Sequence, residues 1–106
     1  MSHEIIRYIY DEHGKKSATL VAILDPFGHV AIGYSKKHPN DTFCKKRGLE
    51  IARRRALAWS TRNVEHIRIP RSIHDKIAEF TARCEDKFGI DNIPEWAYEL
   101  NRNIEF

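Results

Sequence analysis

The run Ser17–Leu24 (SATLVAIL) limits the possible folds more than any other stretch, because it is almost continuously apolar. A strand with one wet face would alternate, whereas an unbroken run of this length suits a central strand buried on both faces. Turn signals bound it on either side. Asp11-Glu12-His13-Gly14-Lys15-Lys16 is polar, and in Asp25-Pro26-Phe27-Gly28 the proline presets φ while the glycine closes the turn. Before it, Glu4–Asp11 (EIIRYIYD) is rich in β-branched and aromatic residues and reads as a strand with Ile6, Tyr8 and Tyr10 on one face. After it, His29–Ser35 (HVAIGYS) alternates, with Val30, Ile32 and Tyr34 on one face and Ala31 and Gly33 on the other. Three short strands joined by tight turns predict an antiparallel meander.

The pattern then changes period. Pro39-Asn40-Asp41-Thr42 supplies a turn, with Asp41 or Thr42 as N-cap, and predicts a helix of about five turns over Thr42–Arg62. Cys44, Gly48, Ala52, Ala56 and Trp59 fall on one stripe of it, and the small side chains among them let a helix backbone lie close to a sheet. Leu49 and Ile51 widen that apolar face. Gly48 within a helix costs about 1 kcal/mol relative to alanine, so close packing or ligand approach must compensate. Glu65–Ile69 (EHIRI), ended by Pro70, is a candidate for a short fourth strand. Ser72 with Asp75 resembles a capping box opening a helix to Phe88, its apolar face being Ile73, Ile77, Phe80, Cys84 and Phe88 and its stop Gly89. Pro94 starts a last short helix over Glu95–Arg102, with Trp96 and Leu100 inward. The fold class expected is therefore α+β: a three-stranded meander packed against a long basic helix, with two further C-terminal helices. All of it forms one domain over residues 1–106, a length sufficient for a single core.

Charge is distributed unevenly. Between Lys36 and Arg55 there are eight cations (Lys36, Lys37, Lys45, Lys46, Arg47, Arg53, Arg54, Arg55) against two anions (Asp41, Glu50), a net +6, while the remainder of a +3 chain carries −3. Overall, 42% apolar and 31% charged residues describe an ordinary globular chain rather than a disordered one. The opening MSHEIIRYIY has no apolar run of the signal-peptide kind, and no stretch approaches eighteen apolar residues. The expectation is a cytoplasmic protein that does not engage a membrane, with Cys44 and Cys84 as reduced thiols.

Catalytic signatures are missing. The histidines at 3, 13, 29, 38, 66 and 74 form no HxH or HExxH pair and no paired His-x-Ser/Thr motif, and there is no Walker loop, GxGxxG or GxSxG. Cys44 in a first helical turn among Lys45, Lys46 and Arg47 would favour a thiolate, with His38 the nearest base in sequence; a small packed thiol is the simpler reading. A binding protein without metal or cofactor is favoured over an enzyme.

What such a helix attracts is an anion. Its free N-terminal amides and dipole draw negative charge, and Lys36, Lys37, Lys45 and Lys46 cluster there. Asp41 would compete for those amides, or would accept from ribose hydroxyls or a base amino group. From Asn40 to Arg55 the groups spread over roughly 20 Å of helix rise, enough for a polyphosphate, an oligonucleotide, or a site completed by a second subunit. Arg53 and Arg54 read equally well as a solvated face, while Arg55 adjoins the packing stripe and is aimed at a partner. Phe43, Tyr34 and Phe27 are candidates to stack on a base; packing explains Tyr34 and Phe27 as well, and Phe43 also reads as a staple pinning helix to sheet.

The segment Pro39-x-Asp41-x-Phe43-x-Lys45-x-x-Gly48-x-x-Ile51-Ala52-x-x-Arg55-Ala56, entered from the strand Val30–Tyr34, resembles small phage-encoded proteins of the Thoeris anti-defence group. Those act as sponges that sequester cyclic ADP-ribose-type immune signals without cleaving them. The resemblance covers about a quarter of the chain and implies ligand contacts from Asn40, Asp41, Phe43 and Arg55. Where the pattern expects a second arginine directly after the glycine this chain has Leu49, so Arg47 or Arg53 would take that part. The candidate ligand residues are thus Asn40, Asp41, Phe43, Lys45, Arg47 and Arg55. The function expected is non-catalytic sequestration of a nucleotide or cyclic-nucleotide signal by a homodimer or higher oligomer. The alternatives are a nucleic-acid binder using the Lys36–Arg62 face, and an inhibitor docking on an acidic host protein.

Overall fold

A computed structural model of the chain describes residues 3–26, 28–38, 42–59, 73–89, 92–94 and 97. Strands β1 (His3–Tyr10), β2 (Lys16–Leu24) and β3 (Val30–Lys36) form an antiparallel sheet in the order β1-β2-β3, so the apolar run is the central strand. Both hairpin turns are closed by an aspartate and a glycine. Asp11 accepts the amides of His13 and Lys15 on its carboxylate, with Gly14 at φ +76°; Asp25 accepts the His29 amide, with Gly28 at φ +86°. The amide of Lys15 is the main reason the Asp11 carboxyl is held below its ordinary pKa.

Helices α1 (Lys45–Trp59) and α2 (His74–Phe88) cover opposite faces of the sheet. One face presents Ile5, Ile9, Ala18, Leu20, Ala22, Val30, Ile32 and Tyr34 to Ile73, Ile77, Phe80 and Cys84, with Ile93 and Ala97 completing that core. The other presents Val21 and Ala31, flanked by Ile6 and Ile23, to Ala52, Ala56 and Leu49. The fold is α+β, as the element order predicts.

The contact under α1 is between backbones. A Cβ placed on Gly33 would sit 2.2 Å from the Ala52 carbonyl oxygen and 2.5 Å from the Ala56 nitrogen, so only glycine fits beneath the helix. Toward the N-terminus, the Ser35 hydroxyl donates to the Gly48 carbonyl at 2.7 Å. Gly48, Ala52 and Ala56 therefore do what their spacing predicts, and the close approach compensates the helical cost of Gly48.

Several boundaries differ from expectation. The first helix begins at Lys45 rather than Thr42: its first helical bond runs from the Gly48 amide to the Cys44 carbonyl, and Thr42 lies outside it. Phe43, docked edge-on against Tyr8, fixes the chain just before that cap. Cys44 leaves the packing stripe for the same reason and is exposed. On β1 the most deeply buried side chains are Ile5 and Ile9, on the α2 side; Ile6 and Tyr8 face α1, and Tyr10 is exposed beyond a register shift. The second helix opens without a side-chain cap and ends at Gly89, φ +95°, as its stop signal predicts. Two helices are present among the described residues rather than three. Asp41 and Ser72 as caps, Trp59's side chain, the Glu65–Ile69 strand and the Glu95–Arg102 helix, apart from the buried Ala97, lie outside the described residues. No helix among the described residues is long and apolar enough to cross a membrane.

Replacing Gly33 by alanine should cost at least about 3 kcal/mol, the range of severe overpacking, because the obstacle is helix backbone and has no rotamer to change. Urea unfolding is expected to show a folded state that is lost or reached only at low denaturant. Gly14→Ala, where nothing lies within 4 Å and only the positive φ is at stake, should cost about 1 kcal/mol.

Candidate anion-binding site

The edge strand β3 stays paired with β2 through Lys36, and α1 is held above it by Gly33 and Ser35. A cleft of about 650 Å³ opens there, lined from the strand side by Ser35, Lys36, Lys37 and His38, and from the helix side by Thr42, Phe43, Cys44, Arg47, Gly48 and Ile51. Lys37 is fixed by its amide, which donates to the Ser17 carbonyl at 2.9 Å. Three cations and a histidine line this cleft, and no aspartate or glutamate is among its described lining residues.

The first turn of α1 sharpens the charge argument. It contains Lys45, Lys46 and Arg47 and no acid. A helix N-terminus already bears partial positive charge, so cations there are each unfavourable by roughly 0.3–1 kcal/mol where an acid would be favourable. The amides of Lys45, Lys46 and Arg47 also precede the first helical donor, Gly48, and have no partner within the helix. An anion at this position answers both problems at once.

The structure divides the candidate residues. Phe43 and Arg47 line the cleft, with Lys36 and Lys37. Phe43 is half-buried: its ring meets Tyr8 edge-on, centroids 6.1 Å apart, which is the staple contact, and it still forms part of the cleft wall. Lys45 sits beside Phe43, its Nζ 5.5 Å from the Tyr8 ring centroid. Arg55 lies away from the cleft lining. Its guanidinium donates to the Tyr34 carbonyl at 3.0 Å and stacks 5.3 Å from the Tyr34 ring, so the partner it meets is the edge strand of its own chain. Burial raises the Tyr34 phenol pKa, partly offset by that guanidinium. Arg53 is held by the Glu4 carboxylate through two hydrogen bonds of 2.8 and 2.6 Å. Asn40 and Asp41, like Phe27, lie outside the described residues.

Sequence reasoning missed Ser35 and Ile51 as cleft residues, and treated His38 only as a base for Cys44. Strand alternation past Ser35 gives no cue to where the chain turns away. Cys44 and His38 do line one cleft, but no hydrogen bond joins them. Among the described residues no group of three or more His, Cys, Asp or Glu side chains could hold a metal ion.

The two thiols should separate cleanly in a labelling experiment. Cys84 is buried under α2 and its pKa is pushed up to about 12 by that burial, whereas Cys44 is exposed in the cleft. A colorimetric disulfide reagent at neutral pH is expected to titrate one thiol in the native protein, lost in Cys44→Ser, and the second only after unfolding. Rapid reaction of both would contradict the burial of Cys84. No family model matches this chain, and no curated protein or solved structure does either.

Proposed function

We propose that the protein binds a small nucleotide-type anion in the cleft between β3 and α1 and holds it without turning it over. The observation that carries this reading is the convergence of Lys36, Lys37, His38 and Arg47 with the Phe43 ring on one cleft at an acid-free helix N-terminus. Cations and free amides suit phosphate; an aromatic wall beside the apolar Ile51 suits a nucleobase. The resemblance of Pro39–Ala56 to phage anti-defence sponges gives this binding a purpose, the withdrawal of a cyclic-nucleotide-type immune signal. Within that reading Asn40 and Asp41 add ligand contacts from the segment joining His38 to Thr42, Arg55 acts through the edge strand, and a homodimer or higher oligomer is the assembly expected.

A nucleic-acid binder drawing on the whole basic helix is the weaker alternative. Arg53 and Arg55 are engaged inside the fold, with Glu4 and Tyr34, which removes two cations from any extended phosphate track. The same loss weakens docking on an acidic host protein. Of the six other cations between Lys36 and Arg55, Lys36, Lys37 and Arg47 line the cleft.

Native mass spectrometry and calorimetry against a panel of linear and cyclic nucleotides test the reading, and the former reports the oligomer in the same spectrum. Arg47→Ala and Lys37→Ala should each weaken the best nucleotide by about tenfold or more, the scale of one charge-assisted hydrogen bond. Cys44→Ser should leave any ligand chemically unchanged, as in the unmutated protein. Affinity for duplex DNA that exceeds that for every nucleotide and falls with salt at about −0.9 per neutralised phosphate would replace the nucleotide by nucleic acid. An Arg47→Ala variant that binds as well as the parent would overturn the cleft.

A further inference from the structure

The far side of Phe43 holds a second concentration of positive charge. The Nζ of Lys16 lies 4.8 Å from the Tyr8 ring centroid and that of Lys45 5.5 Å from the same centroid, so the sum of these two distances bounds their separation. Neither lysine has an ion pair among the described residues. A ring quadrupole attracts each ammonium, but it does nothing to relieve their mutual repulsion. A group placed between them must be negative to do that.

Lys16 arrives at Tyr8 by a defect in the sheet. The β1–β2 register is regular from His3↔Leu24 to Ile9↔Ala18 and then shifts, pairing Tyr10 with Lys16 and leaving Ser17 as the extra residue. In the regular register Lys16 would share the face of Ala18, Leu20 and Ala22, which looks toward α2. The bulge turns it to the face of Tyr8 and Tyr10, where Lys45 approaches from α1. Bulges that re-aim one side chain are common beside binding sites. The Ser17 carbonyl at the bulge also accepts the amide of Lys37, which joins this corner to the cleft wall.

We propose that Lys16 and Lys45, over Tyr8, form a second anion-binding position across Phe43 from the cleft, so that the natural ligand carries two separated anionic groups. The inference rests on the cleft binding a nucleotide. A nucleotide with one phosphate fills the Arg47 side alone; one with phosphates at both ends of its sugar, or two phosphates in a ring, fills both.

The test compares adenosine 5′-monophosphate with adenosine 3′,5′-bisphosphate by calorimetry on the unmodified protein. The bisphosphate is expected to bind about tenfold or more tightly, one further charge-assisted contact. That ratio should fall to about one in Lys16→Met, and likewise in Lys45→Met, which perturbs a different element. Arg47→Ala should weaken both ligands and keep the ratio. Continued protection of Cys84 from thiol reagents certifies that each variant is folded. If the monophosphate binds but the bisphosphate gains nothing, or gains equally in Lys16→Met, the second position is refuted while the cleft survives. If neither nucleotide binds, both fall together.

Discussion

The contact of α1 with Gly33 sets the height of the helix over the sheet, and most other features follow from it. Backbone packed on backbone leaves no side chain whose rotamer could absorb a displacement. The Ala52 carbonyl and the Ala56 nitrogen lie where a Cβ of residue 33 would be, while Gly48 rests close to Thr19 and Ser35. A helix fixed at three successive turns by glycine and alanine cannot rise, and it can slide only by breaking the Ser35–Gly48 hydrogen bond. The cleft lies where the first turns of that rigid helix stand over the C-terminal end of β3. Its width is therefore set by the fold rather than by its lining residues.

Charge then divides into two populations according to its distance from β1 and from the β3 edge. Glu4, its side chain only 13% exposed, holds Arg53; Arg7 meets Glu79 of α2, so the outer strand is tied to both helices. An exposed ion pair adds little to stability, but the sheltered Glu4 would be left without compensation if Arg53 were lost. Arg55 covers the open side of β3 at Tyr34, which also protects that edge from pairing with other strands. These cations serve the fold. Lys37 and Arg47 form no ion pair within 4.0 Å among the described residues, although Lys37 is near enough to Asp11 to help hold its carboxyl below the usual pKa, and both line the cleft.

The meander was legible in the sequence because its signals are local: alternation in Val30–Tyr34, continuity in Ser17–Leu24, and Asp and Gly at both turns. The small-residue stripe was legible in part: Gly48, Ala52 and Ala56 pack as their spacing implies, whereas Cys44 is exposed and the role of Gly33 beneath the helix has no local signal. Local signals failed where a long-range contact decided. Thr42 is a good N-cap by propensity, yet the docking of Phe43 on Tyr8, thirty-five positions earlier in the chain, places the cap at Cys44. The cluster of Lys16, Tyr8 and Lys45 depends on a one-residue register shift that no pattern of apolar residues encodes. Arg55 was read as a ligand contact, and sequence separation could not reveal that its guanidinium meets the Tyr34 carbonyl and ring of its own chain.

The acid-free first turn of α1 bears on why the fold tolerates its own site. Three cations against the positive end of a helix dipole oppose folding, and the backbone contact at Gly33 is strong enough to hold the helix in spite of them. The helix is held from its middle rather than its start, so the stability of its docking does not rest on the residues of its N-terminus. The rigid, side-chain-free interface and the cationic helix end are thus one arrangement: the first supplies the stability that the second gives up, and it fixes where those amides and cations stand.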